Sequence, residues 1–118
     1  MHNPILSAGR DPYLLKKRND ALTQAGYTVV SASSSYEAIE RLLSGDFDLV
    51  LLCHSLSNEE RRRLAGIVKN YSPSTPVVLI ADMDGQQYEY ATRTVRCYPE
   101  QIIAAVKTML EAPRPNAA

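Results

Sequence analysis

Two five-residue runs in this chain are apolar at every position: Leu49-Val50-Leu51-Leu52-Cys53 and Val77-Val78-Leu79-Ile80-Ala81. A strand with one wet face alternates polar and apolar residues, whereas a strand covered on both faces does not. Both runs therefore predict central strands of a parallel sheet. Three other stretches repeat their apolar positions at three and four, the spacing of one helix face. They are Leu14, Leu15, Arg18 (by its aliphatic stem), Leu22 and Ala25; then Ala38, Ile39, Leu42 and Leu43; and last Ile102, Ile103, Val106, Met109 and Leu110. Shorter strand-forming runs are Ile5–Ala8, Tyr27–Ser31 and a more polar edge candidate, Thr92–Arg96.

The punctuation agrees with this alternation. Asp11 before Pro12 reads as a helix cap followed by a residue that needs no N–H donor. Ser34 with Glu37, and Ser57 with Glu60, have capping-box spacing, and the second pair opens a helix that runs to about Tyr71. Gly26 and Gly45 are helix stops. Pro73 and Pro76 mark a loop, Asp82–Gly85 reads as a turn, Gln86–Tyr90 can make at most about one helical turn, and Pro99 opens the last helix. Residues 1–112 form one domain and 113–118 a frayed tail. Five strands alternating with four well-marked helices predict an α/β fold, a doubly wound open parallel five-stranded sheet.

Composition narrows the function classes. A chain of 118 residues suits one domain, and with one Phe and no Trp its core relies on aliphatic side chains. Thirteen basic residues balance thirteen acidic ones, so no net field attracts nucleic acid or an anionic membrane. Neither a signal peptide nor a membrane-length apolar run is present in the sequence, and we expect a cytoplasmic chain with Cys53 and Cys97 as thiols. Arg61-Arg62-Arg63 with Lys69, and Lys16-Lys17-Arg18, are read as solvated helix faces; nucleic-acid binding by this domain alone is not expected.

Ligands of open parallel sheets sit at the carboxyl ends of the strands. Here those ends are Ala8–Asp11, Cys53–Ser57, Ala81–Asp84 and Arg96–Pro99. Cys53 beside His54, with Cys97 at the same end, could serve redox chemistry or a two-thiol metal site. Cys53 also continues a buried run, where a free cysteine is a small hydrophobe. Tyr88, Tyr90 and Tyr98 form the other unusual group. Tyrosine suits a protein interface, and it equally suits a lid over a core.

The order of these pieces resembles the receiver domain of two-component response regulators, over about residues 4–111. The likeness is carried by Ile5-Leu6, by Asp11-Pro12 heading a helix, by Ala25-Gly26-Tyr27-Thr28-Val29-Val30 followed by Ala32-Ser33-Ser34, by Phe47-Asp48-Leu49-Val50-Leu51-Leu52, and by Pro76-Val77-Val78-Leu79-Ile80. The resemblance implies a flavodoxin-like sheet of order 2-1-3-4-5, with the helix after the fourth strand shortened by about two turns. It places Cys53 where such receivers carry the phosphoacceptor aspartate, Gly9 and Arg10 where they carry the metal-binding acids, and Ala81 at the switch Ser/Thr. Val95, Arg96 or Cys97 falls at the position of their lysine.

Mg²⁺ prefers near-octahedral oxygen ligands, and these positions offer none from side chains. Mg²⁺ binding is accordingly not expected, nor any cofactor; Asp11, Asp82 and Asp84 are read as a cap and turn residues. The reading is a degenerate receiver, not an enzyme. It would act in signal transduction by phosphorylation-independent contact with a regulatory protein or with itself, through Tyr88, Tyr90 and Tyr98. Two alternatives stay open. One is a redox- or ligand-responsive switch using Cys53, His54 and Cys97, and the other is a phosphorelay receiver with an unconventional site.

Overall fold

The computed structural model describes residues 3–83 and 88–111. In chain order the elements are β1 (Ile5–Ala8), α1 (Pro12–Gln24), β2 (Val29–Ala32), α2 (Ser35–Ser44), β3 (Leu49–Cys53), α3 (Asn58–Tyr71), β4 (Val77–Ala81), β5 (Arg93–Arg96) and α4 (Pro99–Glu111). The strands form one parallel sheet in the order β2-β1-β3-β4-β5. The sheet is doubly wound and has the predicted order.

Side chains of the central strands alternate between two cores, as the pleat requires. Leu6, Ala8, Val50, Leu52, Val77 and Leu79 face α2 and α3, meeting Ala38, Leu64, Ala65 and Val68. Ile5, Leu49, Leu51, Val78 and Ile80 face α1 and α4, meeting Leu22, Ile102 and Val106. All five residues of β3 and of β4 are buried, which is why neither run alternates in sequence. Among the described residues, no helix is long and apolar enough to cross a membrane.

The helix starts follow the capping chemistry. Asp11 accepts from the backbone N–H groups of Tyr13 and Leu14 at 3.0 and 3.2 Å, and Pro12 is the first helical residue. Ser57 and Glu60 complete a reciprocal capping box. The Ser34 box is half formed: Ser34 accepts from the Glu37 N–H, but the Glu37 carboxylate takes the N–H of Ser33.

Several boundaries shift from the sequence reading. Strand β2 begins at Val29, not Tyr27, because the Tyr27 N–H still closes the end of α1 on Leu22 O at 3.1 Å. Gly26, at φ 98°, makes that reversal. Ala25 and Leu43, read as apolar-face residues, are exposed: Ala25 is already the C-cap of α1, and Leu43 lies in the last turn of α2. Strand β5 starts one residue late. The Thr92 side chain accepts from Val77 N at 2.9 Å while the Thr92 N–H bonds Val77 O at 2.7 Å, so Thr92 anchors the strand and Arg93 opens it.

Among the described residues no helix lies between β4 and β5. Tyr88–Tyr90 form a turn, closed by Ala91 N on Tyr88 O at 3.1 Å. The remainder of the expected turn and short helix, at residues 84–87, and the expected tail lie outside the described residues.

Candidate functional site at the carboxyl edge of the sheet

Three strands deliver the residues singled out in the sequence. Gly9 leaves β1 with its N–H on Ala32 O at 3.0 Å. The next two N–H groups, of Arg10 and Asp11, point at Ser55 Oγ from 2.9 and 3.4 Å. Ser55 thereby ties the β1–α1 turn to the β3–α3 turn. Arg10 reaches across to α3, donating from Nε to Glu60 Oε1 at 3.1 Å and from Nη2 to Glu60 Oε2 at 2.6 Å. The Arg10 guanidinium, with help from the Ser57 N–H, holds the Glu60 carboxyl down at about 2. Glu60 thus serves both as helix cap and as counter-ion, a second role its capping spacing did not reveal.

Cys53 is buried at the tip of β3 and Ala81 at the tip of β4, beside Arg96 of β5. Neither Cys53 nor Ala81 carries a carboxylate or a hydroxyl. Strand β3 ends at Cys53 and His54 already lies in a turn, so strand alternation does not separate the two. Cys53, His54 and Cys97 line one small cavity of about 60 Å³, together with Lys17 and Arg18 of α1. Cys53 is buried and Cys97 exposed, both as free thiols. Asp11 is engaged as a cap and Asp82 is exposed; Asp84 lies outside the described residues. Among the described residues, no group of three or more His, Cys, Asp and Glu side chains is placed to hold a metal ion.

Arg18 corrects the sequence reading most. Its stem was assigned to the edge of an apolar face, yet the residue is only 5% exposed. Nε donates to the buried Ser7 hydroxyl at 3.0 Å. Glycine at position 9 leaves its end uncrowded. A Cβ there would stand 3.0 Å from Cys53 Cβ and 3.3 Å from Arg18 Nη2. Periodicity could not reveal this, since a cation at a buried helical position reads as a face-edge residue until its cavity is seen.

The tyrosines divide. Tyr88 and Tyr90 are half-buried against the α2/α3 core, with ring centres 5.4 Å apart. The guanidinium of Arg61, itself buried, lies 5.3 Å from the Tyr88 ring centre, and that of Arg62 lies 5.9 Å from Tyr90. Tyr90 Oη donates to Asn58 Oδ1 at 2.8 Å, and partial burial pushes its hydroxyl pKa up. Tyr98 stands on the β5–α4 turn, 46% exposed, with the Arg96 guanidinium 5.3 Å from its ring centre. Between α3 and Tyr88–Thr92 runs an open groove of about 840 Å³, with Ala65, Val68 and Val77 among its apolar residues and Arg62 and Lys69 among its cations.

Solved structures share this architecture. The chain superposes on the response regulator TrrA of Thermotoga maritima in complex with Mg²⁺–BeF, with TM-score 0.80, 21% identity, and 92% of this chain and 99% of that one covered. CheY4 of Vibrio cholerae, a chemotaxis response regulator, gives 0.82 at 17% identity, with 93% and 100% covered. The BeF₃-activated DrrB receiver domain gives 0.80 at 24% identity, with 95% and 100% covered. The fold is that of a receiver domain.

No family model matches the sequence, and no significant match arises among curated proteins. The receiver fold changes one expectation. Mg²⁺ binding was set aside on the residues at positions 9, 10 and 53, but TrrA of the same fold is in complex with Mg²⁺–BeF. Mg²⁺ is therefore typical of this fold, and the expectation that it does not bind is not upheld. The donor set here still differs from a carboxylate cage. Arg10 is engaged by Glu60, Gly9 has no side chain, and Cys53 is a buried thiol.

Proposed function

We propose that this chain is a signal-transduction module of the receiver type, and that it passes its signal on by docking a protein segment in the groove between α3 and Tyr88–Thr92. The observation that carries the reading is the groove itself. It lies where the connection from β4 to β5 contributes no helix among the described residues, so apolar side chains of α3 and β4 line an open channel. Arg62 and Lys69 on its border outnumber the single acid there, Glu89, and with Tyr88 and Tyr90 as an aromatic wall they suit an acidic amphipathic segment that brings apolar anchors to Ala65, Val68 and Val77. Buried Cys53, at the position where the resemblance to receiver domains puts the phosphoacceptor, supports output without an acyl phosphate there.

A second reading is favoured by the Mg²⁺–BeF and BeF₃ complexes of structurally similar receivers: a phosphorelay receiver with an unconventional site. An amide NMR titration with Mg²⁺ and then beryllofluoride separates the two. Localised shifts at Gly9–Asp11, Cys53 and Asp82 support the second reading. Under the docking reading, an acidic amphipathic synthetic peptide shifts Arg62, Ala65, Lys69 and Tyr88–Ala91 without either addition. Absence of peptide shifts in that groove removes the docking reading.

A further inference from the structure

At the end of the sheet opposite the carboxyl edge, the last turns of α2 and α3 and the loop into β3 enclose another cavity, of about 370 Å³. Apolar surface around it is left in water. Leu43 of α2 is 58% exposed and Tyr71 of α3 is 72% exposed, and both line the cavity beside half-buried Ile67 and buried Phe47. A lone exposed apolar residue is ordinary, but two of them on neighbouring helix ends around one cavity form a surface that suits a partner.

The charge of this cavity has one sign. Asp46 lies in its wall, no Lys, Arg or His does, and no described cation pairs with the Asp46 carboxylate. Helix α2 ends on extended Gly45, without the cap N–H bonds that close α1 and α3. The Ser44 hydroxyl donates one turn back, to Glu40 O at 2.8 Å. The carbonyls of Leu42–Ser44, which belong to the cavity wall, thus keep the partial negative charge of a helix C-terminus. Arg41 and Lys69 lie outside the wall, and Lys69 belongs to the groove on the other side of α3. Helix α3 therefore separates two grooves of opposite charge.

We propose that this cavity docks a basic, apolar segment of a partner protein. An arginine or lysine of the segment would seat against Asp46 and the end of α2, while its flanking apolar residues cover Leu43 and Tyr71. The Tyr71 ring adds a face for the cation. The cavity takes a side chain, whereas its exposed rim requires an occupant that extends past it, so a stretch of chain fits better than a free cation. This surface does not rest on the docking reading for the Tyr88–Thr92 groove, which takes the opposite charge.

The experiment is an amide NMR titration of the full chain with the peptide acetyl-Leu-Arg-Leu-Arg-Leu-amide at constant ionic strength. Parallel arms use its glutamate counterpart, acetyl-Leu-Glu-Leu-Glu-Leu-amide, and free arginine amide. Saturable shifts at Leu43–Phe47, Ile67 and Tyr71–Ser72 are expected with the basic peptide and not with the acidic one. Equal binding of the acidic peptide overturns the charge assignment, and shifts that never saturate overturn the site. Arginine amide binding as tightly as the peptide overturns the chain segment in favour of a small cation. The same shifts on concentrating the chain alone name a second copy as the occupant and overturn the separate partner.

Asp46 and Tyr71 are both exposed, so their variants should keep the fold, which circular dichroism checks. Asp46→Lys and Tyr71→Ala are each expected to weaken the basic peptide by about tenfold or more. Unchanged affinity in Asp46→Lys overturns the charge assignment, and unchanged affinity in Tyr71→Ala overturns the apolar rim.

Discussion

The guanidinium of Arg10 holds both carboxylate oxygens of Glu60, at 3.1 and 2.6 Å, and so joins the first turn of the chain to the start of α3. In this fold the first turn and the third strand's loop shape the ligand end of the sheet. A bidentate pair across them fixes their spacing, and Ser55 reinforces it from the backbone side.

That pair has a pH signature. The Glu60 carboxyl sits at about 2 in the folded chain instead of 4.5. A carboxyl depressed on folding stabilises the fold above its unfolded value, and the contribution disappears as pH falls from about 4.5 towards 2. Glu60→Gln retains the amide partner of the capping box but not the charge. Its urea midpoint should lie below that of the parent chain at pH 7 and converge on it near pH 2. Parallel curves at both pH values would show that the charge contributes nothing.

Two glycines should respond for different reasons. Gly9→Ala places a Cβ against Cys53 Cβ at 3.0 Å, a crowding cost of about 1–3 kcal/mol. Gly26→Ala meets nothing within 4 Å, yet its φ of 98° costs about 1–2 kcal/mol in backbone strain. Trimming Cys53 to Ala leaves its Cβ in place, so it should not rescue Gly9→Ala. Urea denaturation of the variants measures each effect.

Thiol chemistry should separate the cysteines. Cys97 is exposed and Cys53 is buried. In the native chain one thiol should react rapidly with an aromatic disulfide reagent, and the second only on unfolding. Rapid labelling of both in the native state would mean that the end of β3 opens readily.

Leu51 lies fully buried in β3 against the α1/α4 core. Leu51→Ala should cost about 2–5 kcal/mol, read as a fall in urea midpoint at unchanged slope. Tyr90→Phe, at the border of the groove, should cost far less, since it loses one partly exposed hydrogen bond to Asn58.

The sheet was legible in the sequence because Leu49–Cys53 and Val77–Ala81 are unbroken apolar runs and alternation with helices implies parallel strands; the strand order came with the resemblance to receiver domains. Asp11-Pro12 and Ser57/Glu60 marked helix starts because capping is local chemistry. The candidate sites were legible only as positions. Arg18 and Arg61 read as ordinary helix cations, and both are buried. What lies beside them is distant in sequence: Gly9 next to the end of Arg18, and the ring of Tyr88 next to Arg61. The Arg10–Glu60 pair was equally hidden, since fifty residues separate its members. Tyr88, Tyr90 and Tyr98 are close in sequence, but β5 intervenes and carries Tyr98 away from the other two.

The two margins of the sheet are chemically unequal. The outer strand at one side, β5, reads Arg-Thr-Val-Arg; at the other, β2 reads Val-Val-Ser-Ala and carries no charge. Bringing a second copy alongside β5 would set arginines against arginines, which discourages growth of the sheet in that direction. The β2 margin has no such guard. At high concentration, or after partial loss of α2, this chain should therefore pair edge to edge through β2 into a closed dimer, and a lysine placed at Ser31, whose side chain is exposed, is the substitution that should keep it monomeric.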